Sequence, residues 1–293
     1  MAKARAVVKR RKAVQNVRKI TQTMQLIATA RFQKCLQRAT ASKPYTQGIT
    51  EMIQTLAGME SADHYLLQPN EGVKKAVLLV ITANRGFCGP YNTNVLKAAL
   101  ARQRELEAAG MTVELDIVGK KGVNFCRFMK LTPSMTITNV EDKVPFEQVA
   151  ELAERYMKMY RDRQIAQVEV AYTRFVSAGQ QVASRARLLP IEPPAAADAG
   201  AEAAGRVKPQ FEFSPPPAEL LSRLIPESVK VRLYQFFNES IVSEQIARMS
   251  AMKAATDAAR DMIKYLTRVY NRVRQGQITS ELADIVGGAE AVK

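Results

Sequence analysis

The 293-residue sequence has no tryptophan, one histidine and three cysteines, and only 6% of it is aromatic. With 47% hydrophobic residues and abundant alanine, the composition favours long helices and coiled coil over a bulky aromatic globule. The single histidine, His64, supplies neither a metal cluster nor a serine triad and reads as a surface residue of a loop. Cys35, Cys88 and Cys126 are odd in number, far apart, and match neither a zinc spacing nor a disulfide framework. They are expected to be reduced thiols in a cytoplasmic compartment. No apolar run reaches the roughly 18 residues that a membrane span needs, so direct membrane insertion is not expected.

Acidic residues are absent from the first fifty positions, which carry twelve Lys or Arg and most of the net charge of +15. Such a block either seeks an acidic partner (nucleic acid, anionic lipid or an acidic protein surface) or forms a solvated helix face. The basic start resembles an organelle transit peptide, but its apolar pattern runs unbroken into the next helical segment, which argues for a folded element.

What is present at the two ends is a heptad. Ala13, Val17, Ile20, Met24 and Ile27 recur at alternating spacings of four and three. Ala28, Ala30, Cys35, Leu36 and Ala39 continue a surface of small residues, and Pro44 is expected to kink or break the helix. Met252, Ala255, Ala259, Met262, Leu266, Val269 and Val273 repeat the pattern near the other end. Two distant heptad helices in one chain pack most simply on each other, antiparallel.

The middle alternates strand and helix. Ala76–Thr82 is a continuous apolar run suited to a strand buried on both faces. Val113–Val118, Met135–Val140 and Val168–Phe175 read as further strands, with an extended stretch near Val182–Leu189. Helical periodicity follows the first strand as far as Ala109, with Gly110 as its stop, and returns at Gly122–Met129 and Phe146–Arg161. The expected fold class is α/β: a long antiparallel coiled coil of the N- and C-terminal helices plus a central Rossmann-like domain with a parallel sheet. The expected division is an N-terminal helix over 1–60, a globular domain over 73–190, a flexible linker over 191–217 and a C-terminal helix over 218–293.

The segment Asn84–Asn92 (NRGFCGPYN) stands after the first strand, where a phosphate-binding loop would lie. It lacks both the GK[ST] ending and the three-glycine spacing, so it reads as a structural turn using Gly86 and Gly89, and no cofactor is expected. The methionines Met24, Met249, Met252 and Met262 fall at helical spacing, which indicates packing.

Four segments carry a resemblance. Ile20–Arg31 (ITQTMQLIATAR), Ala83–Gly89 (ANRGFCG), Ser243–Thr256 (SEQIARMSAMKAAT) and Tyr270–Leu282 (YNRVRQGQITSEL) resemble, in order and separation, the signature segments of the gamma-subunit family of bacterial F-type ATP synthases. One departure is Asn84, where that family usually has Asp. The close cysteine pair of the redox-controlled chloroplast members is also missing.

The resemblance implies a non-catalytic central-stalk rotor of a proton-translocating ATP synthase. It would carry rotation of the membrane ring of c subunits to the catalytic beta subunits, regulating ATPase activity and proton flow. The alpha and beta subunits of the head, the epsilon subunit and the ring are its implied partners, and its place is peripheral, on the cytoplasmic face of the bacterial inner membrane. The resemblance implies contacts with beta subunits for Met24, placed beside Arg248, and higher on the shaft for Arg274, Gln275 and Thr279, with ordinary helix surface as the alternative. Phe211 and Phe213 correspond to the segment near the ring, with core packing as the alternative. A nucleic-acid-binding coiled coil would account for the basic block but not for the matching heptads, so nucleic acid is not an expected partner. A nucleotide-dependent enzyme would need a phosphate loop that the sequence does not contain.

Overall fold

The computed structural model describes residues 2–57, 64–191 and 216–290. In chain order its elements are α1 (Ala2–Ala57), β1 (Lys75–Ile81), α2 (Tyr91–Ala108), β2 (Thr112–Val118), α3 (Lys120–Phe128), β3 (Met135–Ile137), α4 (Phe146–Arg161), β4 (Gln167–Ser177), β5 (Gln180–Leu189) and α5 (Pro217–Glu290). The chain forms two compact units: one comprises 1–30 and 248–293, the other 31–247. Both long helices therefore contribute to both units.

Pro44 lies inside α1, and the helix continues to Ala57, so the expected break does not occur. Proline removes one hydrogen bond to the carbonyl four residues back. Here Thr40 and Pro44 are both exposed, and water can satisfy the freed carbonyl.

In the second unit the sheet order is β3-β2-β1-β4-β5. The first four strands are mutually parallel, while β5 returns antiparallel to β4. The reason is the connection: Ala178 and Gly179 alone separate β4 from β5, and a parallel return needs a crossover of a dozen residues or more. β3 is shorter than expected, ending at Ile137.

β1 sits at the centre and is sealed on both faces, which is why its sequence is unbroken aliphatic rather than alternating. Leu78 and Val80 point to one face, with Leu115 and Ile117 of β2, and are covered by Val95, Leu96 and Ala99 of α2 and Cys126 of α3. Val77, Leu79 and Ile81 point to the other. There Val149, Leu152 and Tyr156 of α4, a row on α5 from Leu221 to Ile246, and Cys35 of α1 close the core.

Two polar groups are carried into this core with partners. Asp116 of β2 is 3% exposed and accepts a hydrogen bond from the Tyr156 hydroxyl at 2.8 Å. Burial pushes its carboxyl up and the Tyr156 bond works against that rise. Glu169 of β4 is gripped by two nitrogens of Arg102, at 2.7 and 2.6 Å, a bidentate pair.

Thr82, just past β1, joins the crest of the sheet to α3. Its hydroxyl donates to the Val118 carbonyl at 2.6 Å and accepts from the Gly122 N–H at 2.9 Å. Gly119 has φ +94, and a Cβ on Gly122 would stand 2.6 Å from Ile117 Cγ2 and 2.8 Å from Thr82 Oγ1. Gly122→Ala is therefore expected to destabilise the protein by about 1–3 kcal/mol, the range for overpacking a tight site. Urea unfolding monitored by circular dichroism measures it; a midpoint equal to that of the unmodified protein would show that α3 moves away freely.

Candidate functional site on the paired helices

In the first unit α1 and α5 run antiparallel. Arg11 lies over the Tyr270 ring at 5.4 Å, and ten residues on along α1 the Thr256 hydroxyl is hydrogen-bonded to Thr21 Oγ1 at 2.8 Å. The predicted pairing of Ala13–Ile27 with Met252–Val273 is thus present, but its phase on α1 differs from the expected one. The covered positions are Ala4, Val7, Arg11, Val14, Arg18, Thr21, Gln25 and Ala28, one residue along from the expected seam. Of the expected seam residues, Ala13, Val17, Ile20 and Ile27 are exposed, Ile20 at 59%, and Met24 is half-buried.

The physical reason lies in the composition of the seam. Buried Thr21, Ala28, Thr256 and Ala259 are small or polar, so the helices approach closely around a threonine pair, and the larger aliphatic side chains are left outside. On α5 the expected seam fares better. Met252, Ala259 and Leu266 are buried and Ala255, Val269 and Val273 half-buried, whereas Met262 is exposed and Ile263 takes the inward position.

The outer surface of this unit combines two features. Lys9, Arg10, Lys12 and Lys19 are exposed on α1, interleaved with Val17, Ile20, Leu26 and Ile27. Towards the far end of α5, Ile278, Leu282, Ile285 and Val286 are exposed, Ile285 at 69%. Ion pairs on α5, Arg260 with Asp257 and Lys264 with Asp261, are exposed i,i+3 pairs that contribute little.

The residues singled out from the sequence take the following places. Met24 is half-buried on α1 and Arg248 is 7% exposed on α5. By the Thr21–Thr256 register the residue level with Met24 is Lys253, so Arg248 lies about a turn and a half further along. Arg274, Gln275 and Thr279 form an exposed patch on α5, with the Thr279 hydroxyl donating to the Gln275 carbonyl at 3.0 Å. Phe211 and Phe213 lie outside the described residues.

The loop after β1 is a tight turn, differently built than expected. Positive φ falls at Phe87 (63°) and Gly89 (54°), not at Gly86, and the Phe87 ring is exposed. Asn84 spends all of its carboxamide on structure: Nδ2 donates to the carbonyls of Thr138, at 3.1 Å, and Val140, while Oδ1 accepts from the Lys120 N–H at 2.9 Å. An ionised aspartate accepts only, so asparagine is the residue this contact set requires. The first N–H groups of α3 are likewise engaged, Lys121 on the Ala83 carbonyl and Gly122 on Thr82. His64 is half-buried rather than fully at the surface; its Nδ1 accepts from the Leu66 N–H at 3.3 Å, and burial pushes its pKa down. No group of three or more His, Cys, Asp or Glu suited to a metal occurs among the described residues, and no described helix is long and apolar enough to cross a membrane.

A family model for ATP synthase matches residues 3–292. The chain is 40% identical over 296 residues to an ATP synthase gamma chain of Rhodopirellula baltica, and 38% over 294 residues to one of Leptospira biflexa, with full coverage on both sides. The chain belongs to the ATP synthase gamma chain family. Among solved structures its fold is similar to a chain of the Euglena gracilis mitochondrial ATP synthase, in a structure described as OSCP/F1/c-ring in rotational state 3. The TM-score is 0.68 at 18% identity, covering 99% of this chain and 95% of that one. A chain in the rotor of the same synthase gives 0.64 at 18% identity, covering 94% and 99%. The gamma chain is a non-catalytic stalk subunit, and the fold of two long helices with a central α/β sheet is shared with these solved synthase chains.

Sequence reasoning missed the threonine layer of this gamma chain. The signal was available as a second heptad through Val7, Val14, Thr21 and Ala28, hidden because its residues are less apolar than those beside them. Thr256→Val is expected to cost about 0.5–1.5 kcal/mol, the net value of one buried hydrogen bond, with most of the loss shared in a double cycle with Thr21→Val. Thermal unfolding of the four proteins measures it; strictly additive effects would mean that the two hydroxyls do not interact.

Proposed function

We propose that this gamma chain is the central rotor shaft of an F-type, proton-translocating ATP synthase, turning with a membrane ring and acting on catalytic subunits without a catalytic site of its own. The observation that carries this reading is the outward placement of Val17, Ile20, Leu26 and Ile27 beside an acid-free basic stretch. Exposed aliphatic side chains in a row are expected to be covered by a partner. A bearing requires greasy, non-interlocking contact with the sleeve, and charge complementarity to acidic loops of beta subunits fixes register.

The domain division expected from the sequence then acquires roles. The terminal helices, expected over 1–60 and 218–293, supply the shaft within alpha and beta subunits where they pair, at 4–28 and 252–273, and the sheet domain, 73–190, meets epsilon and the ring of c subunits. Rotation presents a different face of the shaft to each beta subunit, and a catalytic site responds only through differential contact energy between its conformations. The site of action is the cytoplasmic face of the bacterial inner membrane, with no direct insertion.

Met24, Arg248, Arg274, Gln275 and Thr279 are the contacts to beta subunits on this reading. Met24→Lys sets an ammonium about 8 Å along the pair from Arg248, a repulsion of about 2 kcal/mol at an effective dielectric near 20, less where water screens it. Membranes with the variant are expected to hydrolyse ATP but pump ions poorly. Normal pumping per ATP would count against the contact.

The exposed Arg274 and Gln275 offer a planar fork of donors and a carboxamide to one beta subunit at a time. Changing both to alanine is expected to leave assembly intact and reduce ATP synthesis, with about 1.5–3 kcal/mol lost per charged hydrogen bond at the dwell. Synthesis and hydrolysis rates in membranes test it, and unchanged rates at normal assembly would remove the pair from the interface. The proposal as a whole is tested by co-purification: a tagged chain that recovers no alpha or beta subunits from the cell is not the shaft.

A further inference from the structure

We propose that residues Thr138–Asp142, the first five of the connection between β3 and α4, are a strap that locks both long helices to the sheet against turning and so carries torque between them. The inference rests on the rotor reading above.

Asp142 faces both helices at once. One carboxylate oxygen accepts from Gln245 Nε2 of α5 at 2.8 Å, and the other is paired with Arg31 Nη1 of α1. Its backbone carbonyl lies 3.6 Å from the Cys35 thiol, also on α1. Arg31 is the first residue of the second unit on α1, and Gln245 stands two residues before its last on α5. The strap therefore grips each helix at the limit of the unit that contains the sheet.

The other end of the strap is held from the sheet. Asn84, on the loop that follows β1, donates to the carbonyls of Thr138 and Val140, and its Oδ1 accepts from the N–H of Lys120 at the start of α3. Gln148 of α4 donates to Asn139 Oδ1 at 3.0 Å. A continuous polar path thus runs from β1 and α3 through five residues to both long helices.

Apolar packing sets the coarse orientation: α5 buries a row that includes Ile241 and Ile246, and rolling the helix would expose it. Small angular excursions cost little apolar area, because the hydrophobic effect is non-directional, and those are what the strap opposes. Hydrogen bonds weaken steeply with angle, so three of them converging on one residue oppose rotation of either helix about its axis. The Arg31 and Asp142 side chains are 37% and 36% exposed, so water screens the attraction between their charges, and the contribution lies in geometry.

The test uses the assembled synthase, with torsional stiffness of the stalk read from angular fluctuations of a bead fixed to it. Asp142→Ala is expected to leave complex content and ATP hydrolysis unchanged while stiffness and ions pumped per ATP fall, because the angular constraint on both helices is lost. Asp142→Asn keeps one acceptor and falls between. Exchanging the charges, Arg31→Asp with Asp142→Arg, is expected to restore stiffness, because the Gln245 carboxamide oxygen can accept from the new guanidinium. Should Asp142→Ala fail to assemble, Gln245→Leu removes the α5 contact alone and is read in the same way. Unaltered stiffness in the variant that assembles, or no recovery on charge exchange, overturns the strap. An unmodified chain that does not rotate in the complex would instead sink the rotor reading, and the strap with it.

Discussion

The burial of β1 on both faces is the constraint on which the rest of the second unit depends. Six consecutive residues, Ala76–Ile81, are sealed from water, and a strand of that kind is stable only if two layers cover it. α2 and α3 supply one layer from within the wound sheet. The other is supplied by α4 together with the first half of α5, through Leu221, Ile225, Val229, Leu233, Phe237 and Ile241. The helix that pairs with α1 in one unit is thereby a structural part of the core in the other.

A helix serving two units must hold a fixed rotation as well as a fixed position, and the two are secured by different chemistry. Apolar contacts with the sheet fix position and the face that α5 turns inward. Polar contacts at specific angles sharpen the rotation: the threonine pair in one unit and the contacts on Asp142 in the other. The gamma chain family places such a helix pair in a synthase stalk, where a helix free to roll would lose the energy that it is there to transmit.

The sequence made the sheet unit easy to read and the helix pair only half so. Strands buried on both faces appear as aliphatic runs, Gly110 with φ 79 ends α2 where expected, and the amphipathic pattern of α4 places Phe146–Arg161 to the residue. Period was equally clear in α1, but phase was not. Periodicity locates the most apolar stripe, and in an isolated pair that stripe turns inward; here Val17, Ile20 and Ile27 turn outward and Thr21 and Ala28 turn in. That inversion marks a surface awaiting a third party. Pro44 does not break α1 for a local reason, since exposure lets water take the place of the lost bond. The contacts on Asn84 and Asp142 were not legible, because they join residues 36 to 111 positions apart with no repeat to announce them. The four segments resembling the gamma family were, by contrast, enough to name it.

The Thr21–Thr256 contact spans 235 residues of chain. At about 5–20 residues per second of synthesis, a ribosome takes roughly 10 to 50 seconds to deliver the second threonine after the first. Throughout that interval α1 exists without its partner helix. A segment rich in Lys and Arg and free of acid repels copies of itself, which keeps nascent chains from pairing through their exposed aliphatic stripe. The same charge thus protects an unfinished chain from its own kind.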